Sequence, residues 1–177
     1  GRDAFIGKLD SLFTADSKLE GESTSVDISG LIGQYAHGNE PSHHTAHLYN
    51  YVGQPWRTQE IVDEVLHTLY FNNPDGLSGN EDCGQMSAWY ILNAMGFYQV
   101  CPGKPVYSIG RPLFNEATVH LKDGKSFKVI AHNNSRDNKY VRSIVLNGNK
   151  LETPFFTHQD IVDGGTLELT MGSEPLK

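Results

Sequence analysis

The hydrophobic residues of this chain change their spacing near Pro102, and this change constrains the fold more than any other feature. Before Pro102 they recur every three or four residues, as on one face of an α-helix, and after it they alternate with polar residues. Helices followed by strands are typical of α+β proteins. We therefore predict an α+β fold with a helical segment over residues 1–101 and an antiparallel β-rich subdomain over residues 102–177.

Three helices are predicted early in the helical segment. Apolar residues from Phe5 to Phe13 follow helical spacing, and a connector rich in Ser, Gly and Asp runs from Thr14 to about Ser29. A second helix is predicted from Pro41 to Val52 and a third from Pro55, because proline is favoured in a first helical turn.

A fourth helix is predicted to begin after Asp82 and to end at Gly96, the expected left-handed terminator. Asp82 and Gln85 match a variant capping box, in which the aspartate would accept hydrogen bonds from the first helical turn. A strong turn over residues 72–76 separates this helix from the third. Trp89 lies at core spacing, so we expect it to be buried.

The β-rich part is predicted to contain two hairpins and a final strand. One hairpin turns at Asp123-Gly124 and the other at Asn147-Gly148, both dipeptides that favour tight turns. The last strand spans Leu167 to Met171, and Thr157 is the expected cap of a short helical turn before it.

Composition limits the partners of the chain. A net charge of −7 and a pI near 5.5 leave no basic surface for phosphates, so we expect no nucleic acid partner. No apolar run approaches the roughly 20 residues of a membrane span. Cys83 and Cys101 leave one disulfide or two buried free thiols as alternatives. Because the chain opens at Gly1 without an initiator methionine, we expect it to be a fragment of a longer protein.

A first polar cluster, over residues 37–44, crowds the start of the second predicted helix. The free N–H groups of a helix start would stabilise the carboxylate of Glu40, which could then bind a hard cation or a sugar hydroxyl. Alternatively, Glu40 or Asn39 only caps the helix. A zinc site of Glu40, His43 and His47 is a further alternative, although the order of residues is not that of an HExxH motif.

A second polar cluster, over residues 75–85, is a glycine-punctuated loop that leads into the fourth helix. A carboxylate at a helix start favours its anionic form, which a general base that activates water requires, and Asp82 occupies such a position. A purely structural cap at Asp82, with Glu81 as a solvated neighbour, is the alternative.

Three stretches together resemble the C-terminal signature of glycoside hydrolase family 92, namely HGNEPSHHTAHLYNYVGQPW, NNPDGLSGNEDCGQMSAWYILNAMGFYQVCPG and YSIGRPLF. The resemblance implies an exo-acting, calcium-dependent α-mannosidase that inverts the anomeric centre, with α-1,2 the expected linkage. It also implies that the helices belong to an (α/α)6 toroid-like catalytic domain. Asp82 matches the general base of the family, and Asn80 stands where other members have a supporting aspartate.

The same resemblance assigns further residues and partners. Calcium would be held by Asn39 and Glu40, and mannose-containing glycans by Glu40, His37, His43 and Glu81. The general acid of the family is a glutamate upstream of the Gly-Asn-Glu-Pro motif, as is the N-terminal β-sandwich, so we expect the isolated chain to be nearly inactive. Family habit places such enzymes in the periplasm or outside a bacterial cell. A non-catalytic carbohydrate-binding or structural accessory domain is the alternative function.

Overall fold

A computed structural model describes residues 1–19, 25 and 27–177. Its helices are α1 (Arg2–Thr14), α2 (Leu48–Tyr51), α3 (Pro55–Thr68), α4 (Gln85–Met95) and α5 (His158–Val162). Its strands are β1 (Leu31–Ile32), β2 (Tyr35–Ala36), β3 (Phe97–Tyr98), β4 (Val106–Ile109), β5 (Glu116–His120), β6 (Ser126–His132), β7 (Tyr140–Leu146), β8 (Asn149–Lys150), β9 (Phe155–Thr157) and β10 (Gly165–Gly172). The α+β class is confirmed, while the toroid stays a prediction. The connector predicted from Thr14 to Ser29 lies partly outside the described residues.

The strands form three sheets. β1 and β2 pair with each other, β3, β4 and β9 form a second sheet, and the third has the order β5-β6-β10-β7-β8. All strand pairs in the described part are antiparallel except β6 and β10, which run parallel. This pair departs from the expected antiparallel arrangement because a hairpin turn fixes the direction of its own two strands only, and β10 inserts between β6 and β7 from a distant part of the chain.

Local turn chemistry was predicted correctly. Asp123-Gly124 joins β5 to β6 and Asn147-Gly148 joins β7 to β8, and all four residues have positive φ, as such turns require. Thr157 caps α5 through a capping box with Asp160, since the hydroxyl accepts from the Asp160 N–H and the carboxylate accepts from the Thr157 N–H.

The second predicted helix is shorter than expected. Residues 40–42 and 45–47 form two 3₁₀ turns, and only Leu48–Tyr51 is α-helical. The hydroxyl of Ser42 donates to the carbonyl oxygens of Ala36 and Asn39, at 2.6 and 2.7 Å, which ties this turn back to β2. The expectation of one continuous helix from Pro41 to Val52 was wrong because these tertiary contacts favour tight turns over a regular helix.

Two hydrophobic clusters form the core. The helical cluster includes Tyr35, Tyr49, Val62 and Trp89. The sheet cluster includes Phe97, Phe127, Leu167 and Leu169. Leu92 of α4 packs against both clusters, and β3, which directly follows α4, pairs with β4. The sheets therefore anchor the helix that follows the second polar loop. The boundary predicted between residues 101 and 102 stays a prediction.

Both cysteine thiols, Cys83 and Cys101, are free, which excludes the disulfide, but they are exposed, so the expectation that free thiols would be buried was wrong. Within the described residues, no helix has the length and apolar character needed to cross a bilayer.

Candidate active site

The first polar cluster follows strand β2, and its histidines point into the protein. His37 has no exposed surface, and its ring nitrogens lie 2.8 Å from the Tyr35 hydroxyl and 2.7 Å from the Tyr70 hydroxyl. Tyr70 donates its own proton to the Met86 carbonyl oxygen, so His37 Nε2–H must donate to Tyr70. Burial, followed by the nearby His43, lowers the pKa of His37 to about 3, so the ring is neutral near pH 7.

These contacts give His37 a supporting position. Both ring nitrogens are occupied by tyrosines, so contact with a ligand would require one of these hydrogen bonds to break. His37 was assigned to substrate binding by resemblance, and that assignment stays a prediction. Neither tyrosine was singled out from the sequence, since their contacts join residues far apart in the chain.

His43 lies between the two polar clusters. Its ring stacks on that of His37 at 4.7 Å, its Nε2 lies 3.0 Å from the His37 carbonyl oxygen, and its Nδ1 lies 3.1 Å from the Gln85 side-chain nitrogen. Trp89 donates its indole N–H to the His43 carbonyl oxygen at 3.1 Å. Burial is the largest cause of the lowered pKa of His43. The start of α4 thus fixes the position of the first cluster.

The zinc alternative is wrong. His47 is fully buried, and its ring nitrogens face the Ser108 hydroxyl at 3.1 Å and the Asn93 amide oxygen at 2.8 Å. Both nitrogens are thus occupied by protein partners, and burial lowers the pKa of His47 to about 4. His43 and His47 therefore do not face one common ligand position.

The second polar loop enters α4 through a left-handed turn. Asp82, Cys83 and Gly84 have φ values of 52°, 56° and 91° in succession. Left-handed backbone costs a non-glycine residue about 1–2 kcal/mol, and such outliers concentrate at functional sites. Two non-glycine residues in this conformation are therefore an observation that points to function at this loop.

The predicted cap of α4 was wrong. The helix starts at Gln85 with Gly84 at its N-cap position. The backbone carbonyl of Asp82 accepts from the Gln85 N–H at 3.1 Å, but the Asp82 side chain does not cap the helix. Glu81 does so instead, because its carboxylate accepts from both the backbone N–H and the hydroxyl of Ser87, each at 3.0 Å. Asp82 is thereby free to face the first polar cluster.

The carboxyl group of Asp82 meets that of Glu40. Partial desolvation of Asp82, then the hydrogen bond and charge of Glu40, and then the charge of Asp27 raise the pKa of Asp82, while the charge of His43 acts in the opposite direction. Asn80 donates its side-chain N–H to Asp27 at 3.4 Å. Asp27 was missed from the sequence, because it belongs to the predicted connector.

The structure brings together most of the predicted site residues. Glu40 and His43 both lie close enough to Asp82 to shift its pKa, and Asn39 immediately precedes Glu40. The carboxylate of Glu81 is engaged by Ser87. The carboxylates of the site are therefore accessible to solvent, whereas the imidazoles beside them are buried and neutral.

Such an arrangement suits two tasks. A carboxylate with a raised pKa is a stronger proton acceptor from water, and neighbouring oxygen donors suit a hard cation or sugar hydroxyls.

A sequence profile described as the glycosyl hydrolase family 92 catalytic domain matches residues 1–173. The chain belongs to glycoside hydrolase family 92. A family 92 α-mannosidase from Bacteroides thetaiotaomicron, solved in complex with mannoimidazole, is similar in structure, with a TM-score of 0.93 and 43% identity over 99% of this chain and 23% of that one.

Two more relatives support the same membership. A family 92 inverting mannosidase from Bacteroides thetaiotaomicron has a TM-score of 0.83 and 42% identity over 99% of this chain and 25% of that one. An uncharacterized secreted glycosidase from Arthroderma benhamiae is 31% identical over 98% of this chain and 21% of its own length. The chain therefore spans about a fifth to a quarter of the length of these three relatives.

Proposed function

We propose that this chain forms part of an α-mannosidase that removes terminal α-linked mannose, with α-1,2 the expected linkage, from glycans. The observation that carries the proposal is Asp82, which a left-handed turn directs toward Glu40 in a member of family 92. Two relatives are mannosidases by name, and one of them was solved with mannoimidazole. Because the chain spans about a quarter or less of these relatives, the proposal concerns a longer polypeptide, which we term the complete enzyme.

In the proposed reaction Asp82 is the general base. Its carboxylate takes a proton from a water molecule as that water attacks the anomeric carbon, and the configuration at this carbon inverts. The raised pKa of Asp82 strengthens it as a proton acceptor. Asn80 would orient the water or the Asp27 side chain by hydrogen bonding, since an amide carries no charge.

The donor set around Glu40 fits a calcium ion in its chemistry. Asn39 and Glu40 offer hard oxygen donors, and the contact between Glu40 and Asp82 juxtaposes two carboxyl groups that a cation would neutralise. Within the described part of the chain, no three His, Cys, Asp or Glu residues are grouped as a metal site. Calcium would supply chelation of two adjacent sugar hydroxyls, which holds the ring in a distorted shape.

The general acid is expected in the remainder of the complete enzyme. An inverting enzyme places its acid about 6.5–9.5 Å from its base, with room for the attacking water between them. Loss of such an acid costs about a hundred- to ten-thousand-fold in rate. The isolated chain should therefore be nearly inactive on natural mannosides. The rest of the catalytic domain and the N-terminal β-sandwich would be its structural partners.

Secretion is proposed for the complete enzyme, because one relative is a secreted glycosidase. A periplasmic location in a bacterium is the matching expectation for a bacterial member.

A carbohydrate-binding or accessory role without catalysis is the second candidate. It is favoured by Asn80, which replaces an expected supporting carboxylate with a neutral amide.

The decisive experiment assays the complete enzyme on α-linked mannobioses, with and without a calcium chelator. We expect mannose release that is lost on chelation and lost in Asp82→Asn, whereas Asp75→Asn, at an exposed position of the same loop, should retain it. The isolated chain should release almost none. Robust turnover by Asp82→Asn would contradict the assignment of the base and leave the binding role.

A further inference from the structure

We infer that Glu81 positions the general base, Asp82, through a clamp onto Ser87, an inference that rests on the proposed function. The clamp is the pair of hydrogen bonds from the Ser87 backbone N–H and hydroxyl to the two carboxylate oxygens of Glu81, both 3.0 Å long. Resemblance had suggested that Glu81 binds substrate. The geometry points instead to a role exerted through its neighbour in the chain.

The clamp encloses the left-handed turn. The backbone carbonyl of Glu81 accepts from the N–H groups of Gly84 and Met86, at 3.2 and 3.3 Å, while its side chain reaches Ser87. Glu81 is therefore bonded across every residue from Asp82 to Gly84. Because the positive φ angles of Asp82 and Cys83 are unfavourable, the turn persists only where surrounding contacts enforce it.

The direction of the Asp82 side chain depends on that turn. If the loop relaxed to ordinary backbone angles, Asp82 would be free to cap α4, as its sequence position alone suggests. The clamp prevents this competition, because Glu81 already satisfies the N–H group of Ser87 in the first turn of α4. Asp82 consequently remains beside Glu40.

Direct binding of a ligand by Glu81 is the competing explanation. Glu81 and Ser87 also line a cavity of about 610 Å³, together with Tyr70, Phe71 and Tyr90. The two Ser87 hydrogen bonds use two of the roughly four acceptor sites of the carboxylate, so a donor on a ligand in that cavity could use the others. The two explanations differ in kinetics, because a positioning residue affects kcat and the ionisation of the base, whereas a substrate contact affects KM.

The test uses the complete enzyme with the variants Glu81→Gln and Ser87→Ala. Glu81→Gln removes one acceptor of the clamp, and Ser87→Ala removes the hydroxyl while it leaves the backbone N–H in place. We expect Glu81→Gln to lower kcat by about a hundredfold, the cost of displacing a catalytic group by about 1 Å, with KM nearly unchanged. Ser87→Ala should lower kcat less, and the double variant should be little worse than Glu81→Gln, because both changes disrupt one clamp.

The division of the effect between kcat and KM separates positioning from a substrate contact. A wild-type kcat in Glu81→Gln, or a rise in KM with kcat unchanged, would overturn the inference while Asp82→Asn still abolished turnover. Full activity of Asp82→Asn would instead remove the proposed function on which the inference rests.

Discussion

The carboxyl group of Asp82 lies close enough to that of Glu40 for Glu40 to raise the pKa of Asp82, although the two residues belong to different loops. The first loop is held by buried histidines that bond to tyrosines and to the start of α4, and the second by the Glu81 contacts with Ser87. The nearby charge of Glu40 disfavours the anionic form of Asp82, and a cation beside them would favour it. The electrostatics of the site therefore depend on how rigidly the loops are held.

Asp27→Asn should lower the pKa of Asp82 toward its ordinary value. The negative charge of Asp27 contributes to the raised pKa, and the amide removes that charge while it keeps the shape. The measurement is the carboxyl titration of Asp82 by NMR, or the acidic limb of kcat/KM in the complete enzyme. Asp75→Asn is the matched control. Equal Asp82 titration curves in both variants would show that Asp27 does not act on the base.

Stability should decrease as the pH falls below about 6.5. Burial lowers the pKa values of His37 and His47 to about 3 and 4 from the ordinary 6.5, so the unfolded chain binds protons that the folded chain does not. The free energy of unfolding then rises with pH between about 4 and 6.5, by up to about 1.4 kcal/mol per pH unit for each histidine. Urea denaturation at a series of pH values measures this slope.

A histidine comparison tests the assignment of that slope. His47→Gln should reduce the slope, because it removes one of the three buried histidines, His37, His43 and His47, whose pKa is lowered. His120→Gln, at an exposed position, should leave it unchanged. A slope that is the same in both variants would mean that other groups cause the pH dependence.

Asn93→Ala should destabilise the fold. The buried Asn93 side chain faces His47 Nε2 at 2.8 Å and donates to the Trp89 carbonyl oxygen at 2.9 Å. Truncation leaves the buried His47 nitrogen without this partner, which costs about 1–3 kcal/mol. Ile91→Ala, on the exposed face of the same helix, should change the free energy of unfolding by no more than about 0.5 kcal/mol. Similar losses in the two variants, measured by chemical denaturation, would argue against this network.

The stability of the fold should differ between Cys83→Gly and Cys83→Val. Glycine relieves the positive φ at this position, whereas a β-branched side chain is strained there, so the glycine variant should be more stable than the valine variant by about 1–2 kcal/mol. The same two substitutions at Cys101, also exposed but without a positive φ, provide the control for composition. An equal difference at both sites would contradict the strained turn.

Local signals in the sequence predicted most of the secondary structure, because turns and helix ends are determined by a few neighbouring residues. Asn147-Gly148 adopts its expected turn, and Gly96 ends α4 with a φ of 104°. Local signals do not predict the parallel pairing of β6 and β10, since it depends on which strand inserts between β6 and β7.

The site was predictable as a set of residues but not as a set of contacts. Asp82 and Glu81 both precede α4, and only the structure reveals that the longer side chain of Glu81 reaches Ser87 and leaves Asp82 for Glu40. Likewise, the buried partners of His37 come from β2 and from the segment after α3. The spacing of residues along the chain does not reveal such contacts between distant positions.

The pairing of β3 with β4 determines what a protein engineer could transplant from this chain. Helix α4 continues directly into β3, whose Phe97 lies opposite Ile109 and packs in the sheet core. The strands that follow α4 therefore determine its orientation and, with it, the position of the loop that carries Asp82. A graft that moved only the two polar loops and their helices onto another scaffold would lose that orientation, so the smallest portable unit must include β4 and its partner β9.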